Sequence, residues 1–265
     1  MIPIEDNLCR KVFPAVTLLL VVTNLLIYAA MVLVYGSPEE FLSVHSEFCV
    51  VPGAVVGAFQ SLDLVLMLSA VISIFTAMFL HASWMHVIGN MAFLWAFGRG
   101  VESRLGRTRY VAFYLVCGIG AALAHILNDP TSFIPCLGAS GAIAGVLGGY
   151  LVFWPKAEIT GVQPAGPLVA WSYAYFWLLP WFLLQLLAVW LEAQGGDSHI
   201  AAYWASVTAG HGGVAYWAHI GGFVTGWALA AMFRQRNPAS DAVYLPIYDC
   251  PADEEIVEQN TSEQN

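Results

Sequence analysis

Long apolar segments separated by short polar ones dominate this sequence. Seven segments are apolar enough to be candidate membrane helices: residues 12–35, 62–80, 86–97, 110–127, 140–153, 168–191 and 214–233. A bilayer core is about 30 Å thick and is crossed by a helix of about 20 apolar residues. The pattern therefore predicts an all-α membrane protein, a polytopic bundle whose helices span the bilayer.

The distribution of positive charges decides between six and seven spans. Cytoplasmic loops carry an excess of Lys and Arg. If residues 62–80 do not cross the bilayer, all nine basic residues fall on one side: Arg10, Lys11, Arg99, Arg104, Arg107, Arg109, Lys156, Arg234 and Arg236. We therefore predict six transmembrane helices with both termini cytoplasmic. Residues 36–85 then form a long, partly membrane-embedded first external loop, in which 62–80 lie in the interface or pack on the bundle.

Composition agrees with a membrane protein and limits the partners. Of the 265 residues, 59% are hydrophobic and only 10% charged, and the mean hydropathy is +0.69. Soluble domains carry about a quarter charged residues. The net charge of −9 comes largely from the end of the chain, where residues 237–265 contain seven acidic residues and no basic one. With no basic surface, nucleic acid is excluded as a partner.

These patterns divide the chain into three parts. Residues 1–11 are predicted to be a short cytoplasmic N-terminus, 12–236 the six-helix domain, and 237–265 an acidic, disordered cytoplasmic tail. We find no secretory signal, because the apolar run at 12–35 is too long for one. The short N-terminus without a targeting sequence favours a bacterial-type plasma membrane.

Four polar side chains fall at the same depth in the predicted bilayer. Counting at about 1.5 Å per residue from the basic residues at the cytoplasmic helix ends places them about 21–27 Å above that edge. They are His86, Asn90, Ser140 and His219. Strongly polar groups at such depth are functional by default and need partners. A serine and a histidine that meet there predict an intramembrane hydrolase.

Glycines spaced by four residues follow both the serine and the histidine. Gly141, Gly145 and Gly149 follow Ser140, and Gly222 and Gly226 follow His219. Such small-residue ridges let helix backbones approach closely in lipid. Generic helix packing would explain the glycines alone. Together with the matched depth, they predict that the fourth and sixth spans pack together.

His86 and Asn90 are four residues apart and share one helix face. An imidazole and an amide can both donate to a developing oxyanion. A metal site is the rival interpretation, but His81 and His86 are five apart, and no carboxylate or cysteine completes a ligand set. We therefore expect neither a metal nor another cofactor.

Three blocks of this sequence resemble the rhomboid family of intramembrane serine proteases. They are HASWMHVIGN at 81–90 continuing as FGRGVE at 97–102, GASG at 138–141, and AHIGG at 218–222. With the six-span pattern, the resemblance covers residues 12–236. It implies cleavage of peptide bonds in or next to transmembrane segments of membrane-protein substrates, which enter between the second and fifth spans.

The resemblance also implies roles for individual residues. Ser140 would be the nucleophile and His219 the general base and then acid, a dyad without the aspartate of soluble triads. His86, Asn90 and the Ser140 backbone N–H would form the oxyanion hole. Glu102 is implied to be structural, as is Arg104. The expected supporting residues are His81, Gly138, Gly141 and Gly222.

Two departures from the family pattern are visible. Some relatives place a tyrosine one turn after the serine, beneath the histidine, where this chain has Ala144. What packs beneath His219 is therefore open. Others anchor the first external loop with a Trp-Arg pair, and residues 36–85 contain no arginine. Pairing of Cys49 with Cys136 is also open, because spacing cannot decide it.

Two other function classes compete with the protease. One is a catalytically inactive rhomboid-like protein that binds membrane clients, although such proteins typically lose the serine or histidine. The other is a transporter or channel, which would need buried carboxylates that the spans almost entirely lack.

Overall fold

The computed structural model describes residues 2–8, 13–162, 169–194 and 214–236. The helices are α1 Ala15–Tyr35, α2 Pro38–Val44, α3 Pro52–Ser61, α4 Leu64–Thr76, α5 Trp84–Leu105, α6 Arg107–Asn128, α7 Ser140–Phe153, α8 Ala174–Ala193 and α9 Tyr216–Arg236. Short 3₁₀ turns cover Ser46–Phe48 and Ala77–Phe79, and the strands are β1 Ile2–Asp6, β2 Glu158–Val162 and β3 Val169–Tyr173. The predictions made for Arg10, Lys11 and the acidic tail lie outside the described residues.

The helical, membrane-type fold predicted from hydropathy is confirmed. Within the described ranges, α1, α6 and α8 are long and apolar enough to cross a bilayer. A fourth span is possible if α5 is joined to the segment Leu64–Phe79 that precedes it. These two pieces meet at an 82° bend. α7 is a shorter apolar helix of 14 residues. The number of six spans remains a prediction.

Between α1 and α5 the chain forms short helices, and a bent connection separates the last of them from α5. α4 presents a row of exposed apolar side chains, including Leu64, Val65 and Leu68. An amphipathic or apolar helix of this kind suits a membrane interface better than water. This architecture agrees with the prediction that the segment is more than a solvent-exposed linker.

The segment between α1 and α5 is anchored by backbone hydrogen bonds to the segment that precedes α7. Val50 and Cys136 form an isolated antiparallel bridge, with N–H···O distances of 3.0 and 2.8 Å. The Gly53 N–H donates to the Ser132 carbonyl at 2.8 Å. These bonds answer the question raised by the missing arginine, since main-chain pairing holds the loop. Cys49 and Cys136 are free thiols.

Helix α7 is the centre of the bundle. Its residues are buried on every side from Gly141 through Tyr150, and α5, α6 and α9 surround it. A helix that is apolar all round belongs in the core. The position of α7 therefore fixes the position of its first residue, Ser140.

A buried carboxylate joins α1 to α5. Glu102, 2% exposed, accepts hydrogen bonds from the Val16 N–H at 2.9 Å and from the Thr17 N–H and hydroxyl at 2.7 Å each. The first N–H groups of a helix have no intrahelical acceptor, and the residue before α1 is a proline that offers none. Glu102 therefore caps α1 from a neighbouring helix, in agreement with the structural role implied for it.

A three-stranded antiparallel sheet, in the order β1-β2-β3, was not predicted. By hydropathy alone, β3 is part of the apolar segment 168–191. Residues 1–11 are too polar to suggest a strand that pairs with β2. Tyr150 of α7 donates to the Asp6 carboxylate at 2.7 Å, and Ile159 is fully buried in the main core. The sheet thus closes the end of the bundle opposite Ser140.

Replacing Glu102 with alanine should destabilise the protein more than removing an exposed glutamate. Three hydrogen bonds would be lost and two α1 N–H groups left without an acceptor, at a cost of about 2–4 kcal/mol. Thermal unfolding in detergent measures the effect, with Glu39→Ala as the matched control because Glu39 is exposed. Equal melting temperatures for the two variants would contradict the capping role.

Candidate active site

Ser140 is the first residue of α7, and the chain reaches it through a glycine with an unusual backbone. Gly138 has φ +129°, a conformation that residues with a side chain rarely adopt. Its N–H donates to the Ala77 carbonyl at 2.8 Å, which ties the turn to the segment between α1 and α5. Gly138 therefore sets the direction from which the chain enters α7.

The N-terminus of α7 has uncapped N–H donors and a partial positive charge, which suit it to bind a negative charge. Ala139 at the N-cap provides no side-chain acceptor, so the first N–H groups of the helix are not capped by a side chain. The helix dipole adds a partial positive charge at the same place. The Ser140 backbone N–H is thus suited to donate to an oxyanion beside its own hydroxyl.

The His86 ring lies beside this turn. The Ser83 hydroxyl caps the start of α5 by accepting a hydrogen bond from the His86 backbone N–H at 3.1 Å. This cap fixes the helix turn that carries the His86 ring. A Cβ on Gly138 would lie 2.9 Å from His86 Nε2 and 3.6 Å from Ser140 Oγ. The imidazole and the hydroxyl thus approach the same point, and only glycine leaves that space free.

Asn90 and His81 form a polar pair next to His86. His81 is fully buried, and its Nε2 is 2.9 Å from Asn90 Nδ2. The His81 ring also packs edge-on against His86, with centroids 5.0 Å apart. An amide nitrogen carries two hydrogens, so Asn90 keeps one for a further acceptor. His81 thus contacts both Asn90 and His86.

α7 and α9 touch through their glycines, as the spacing predicts. A Cβ on Gly222 would overlap the Gly141 carbonyl oxygen, and one on Gly226 would overlap that of Gly145. The Ala218 carbonyl oxygen is also only 3.7 Å from the Cβ position of Gly141. The turn that carries Ser140 therefore faces the turn that carries His219.

His219 is held by α8 rather than by α7. Its Nδ1 is 2.9 Å from the Gln185 side-chain oxygen, and its ring lies 5.6 Å from that of Trp181. His219 and Ser140 are both partly exposed, and in the described structure they form no hydrogen bond with each other. Catalytic hydrogen bonds are often long without substrate and tighten when it binds.

The role of Gln185 was not predicted from the sequence. The signal was present, because an amide in the middle of an apolar span is rare and needs a partner. Which partner it has could not be known, since the residues are 34 apart in sequence and on different helices.

Comparison with known proteins gives a consistent result. The rhomboid domain model matches residues 68–236. Rhomboid protein 1, mitochondrial, of Saccharomyces cerevisiae is 32% identical over 113 residues, which is 40% of this chain and 33% of that protein. Rhomboid protease AarA of Providencia stuartii is 31% identical over 101 residues, 33% of this chain and 36% of that protein.

A third relative, rhomboid protease GluP of Bacillus subtilis, is 38% identical over 76 residues, or 29% of this chain and 14% of that protein. The chain thus spans about a third or less of the length of these three relatives.

The glycine contact between α7 and α9 should tolerate no added methyl group. Gly222→Ala would push the backbones apart and cost about 1–3 kcal/mol, as overpacking does. Gly57→Ala is the control, because a Cβ there meets no atom within 4 Å and alanine favours a helix by about 0.5–1 kcal/mol. Thermal unfolding in detergent should separate the two variants. An unchanged melting temperature for Gly222→Ala would contradict the contact.

Proposed function

This chain belongs to the rhomboid family, and on that premise we propose that it is an intramembrane serine endopeptidase. Its substrates are membrane proteins, cut in or next to their transmembrane segments. The observation that carries the proposal is the surroundings of Ser140. Its hydroxyl lies at an uncapped helix start beside the His86 ring, and the turn that carries His219 faces it across the α7–α9 contact.

The reaction would proceed through an acyl-enzyme. His219 removes the Ser140 proton as the oxygen attacks the peptide carbonyl carbon. The negative oxygen that forms is stabilised by the Ser140 N–H, His86 and Asn90. The C–N bond then breaks as His219 returns the proton to the leaving amine. Water, activated by the same imidazole, releases the second product and restores the serine, so the cycle needs no cofactor.

Water and an unwound substrate are both required at the site. Polar groups at membrane depth are tolerated where they are buried in protein or line a wet cavity, and the partial exposure of Ser140 and His219 suits the second case. A substrate helix must open to present its carbonyl, which favours small or helix-breaking residues at the cut. We place the protein in a bacterial-type plasma membrane, with both termini cytoplasmic.

The dyad predicts complete dependence on both residues. Ser140→Ala and His219→Ala should each lower cleavage of a model transmembrane substrate in liposomes by about 10³-fold or more. The first removes the nucleophile that forms the acyl bond, and the second removes the base that transfers the proton. Product formation measured on gels gives the rate. Ser69→Ala, at an exposed serine of α4, is the matched control and should cleave like the wild type.

The outcomes of this experiment are distinct. Equal cleavage by the wild type and both variants would overturn the dyad. No cleavage by the wild type, with the substrate instead retained on the protein, would favour the inactive client-binding alternative.

The oxyanion hole predicts a different kinetic signature. His86→Ala and Asn90→Ala should each lower kcat by about 10²–10³-fold with little change in KM, because a donor to the oxyanion acts mainly in the transition state. Controls are His125→Ala and Asn128→Ala on α6, which replace the same residue types elsewhere. A rise in KM at constant kcat would instead indicate that the two residues only bind substrate.

A further inference from the structure

Gln185 is a polar side chain that the mechanism above does not use. It lies in the middle of α8, is 8% exposed, and is surrounded along that helix by leucines and aromatic residues. Burying an amide in this setting is costly unless its hydrogen bonds are made. Gln185 makes two, one to a backbone carbonyl of its own helix and one to His219.

The orientation of the Gln185 amide is determined by its partners. Its nitrogen is 3.1 Å from the Trp181 carbonyl oxygen, and its oxygen is 2.9 Å from His219 Nδ1. A carbonyl can only accept, so the amide nitrogen must face Trp181. The amide oxygen therefore faces His219, and because it too can only accept, the hydrogen of this bond must be on Nδ1.

The consequence concerns the other ring nitrogen. A neutral imidazole carries one hydrogen, so a ring held with its hydrogen on Nδ1 has a free lone pair on Nε2. A general base needs that lone pair. The hydrogen bond made by Nδ1 thus determines that Nε2 can act as a base.

We propose that Gln185 is the positioning residue that holds His219 in the Nδ1–H form, so that Nε2 accepts the proton of Ser140. The inference rests on the proposed function and adds a third member to its dyad. Gln185 does not touch substrate and acts only through His219. Trp181, four residues earlier, packs its ring beside the imidazole and restricts its tilt.

Gln185 provides the support for the His219 ring that α7 does not provide. Ala144, one turn below Ser140, is buried and has no group that can bond to the histidine. Support for the ring therefore comes from α8. An amide also has an advantage over the aspartate of soluble triads, because it offers an oxygen acceptor without placing a full charge inside the bilayer.

The ring form of His219 can be measured without any proteolysis. The full-length protein, labelled with ¹⁵N-histidine and carrying Ser140→Ala, is examined in detergent by NMR, and His219 is assigned from the signal lost in His219→Ala. We expect the Nδ1–H form. Gln185→Met, similar in size but without a comparable acceptor, should lose that preference, whereas Gln60→Met, at an exposed glutamine of α3, should not.

Activity provides the second readout. Gln185→Met should lower kcat about 10- to 100-fold with KM unchanged, the effect of losing one hydrogen bond to the base. Melting temperatures of all variants are recorded, and the signal is compared only between folded proteins.

The results separate this inference from the proposed function. If Gln185→Met keeps both the Nδ1–H signal and the wild-type kcat, the positioning role is overturned. If no protein cleaves substrate but the signal still depends on Gln185, the contact stands and the protease proposal fails. If Gln185→Met lowers kcat but keeps the Nδ1–H signal, the side chain acts by packing, and the inference is again overturned.

Discussion

The contact between the backbones of α7 and α9 is the constraint on which the rest of the site depends. Lipid tails are as apolar as leucine side chains, so helices in a bilayer gain little from burying apolar surface and associate through close packing. Gly141 and Gly145 meet Gly222 and Gly226 with no room for a methyl group between them. This fit allows two helices that are distant in sequence to bring a serine and a histidine to facing turns.

A second set of contacts, independent of the α7–α9 contact, surrounds Ser140 on its other side. α5 brings His86 to the space beside Gly138, and the N–H of the same glycine donates to the carbonyl of Ala77, in the loop between α1 and α5. The main-chain bridge between Val50 and Cys136 holds the loop against the segment before α7. The surroundings of the serine are therefore built jointly by the helices and by a loop that hydropathy alone would mistake for a span.

Three polar side chains inside the bundle are paired across elements. Asn90 of α5 bonds to His81, which precedes that helix. Glu102 caps α1, and Gln185 holds His219. In each case a group that would be costly to bury alone has a hydrogen-bond partner, and the pair also fixes the relative position of two segments. The polar side chains therefore contribute to the fold as well as to the chemistry.

The amino-acid sequence by itself determined most of the helices and the glycine ridges of α7 and α9. These features follow from local composition and helical periodicity, which need no knowledge of neighbours. Only the tertiary structure decided the small sheet formed by β1, β2 and β3 and the partners of the polar groups. It also showed that Gln185 supports His219 where Ala144 cannot. Such contacts join residues far apart in the chain, and no local pattern specifies which helix will supply them.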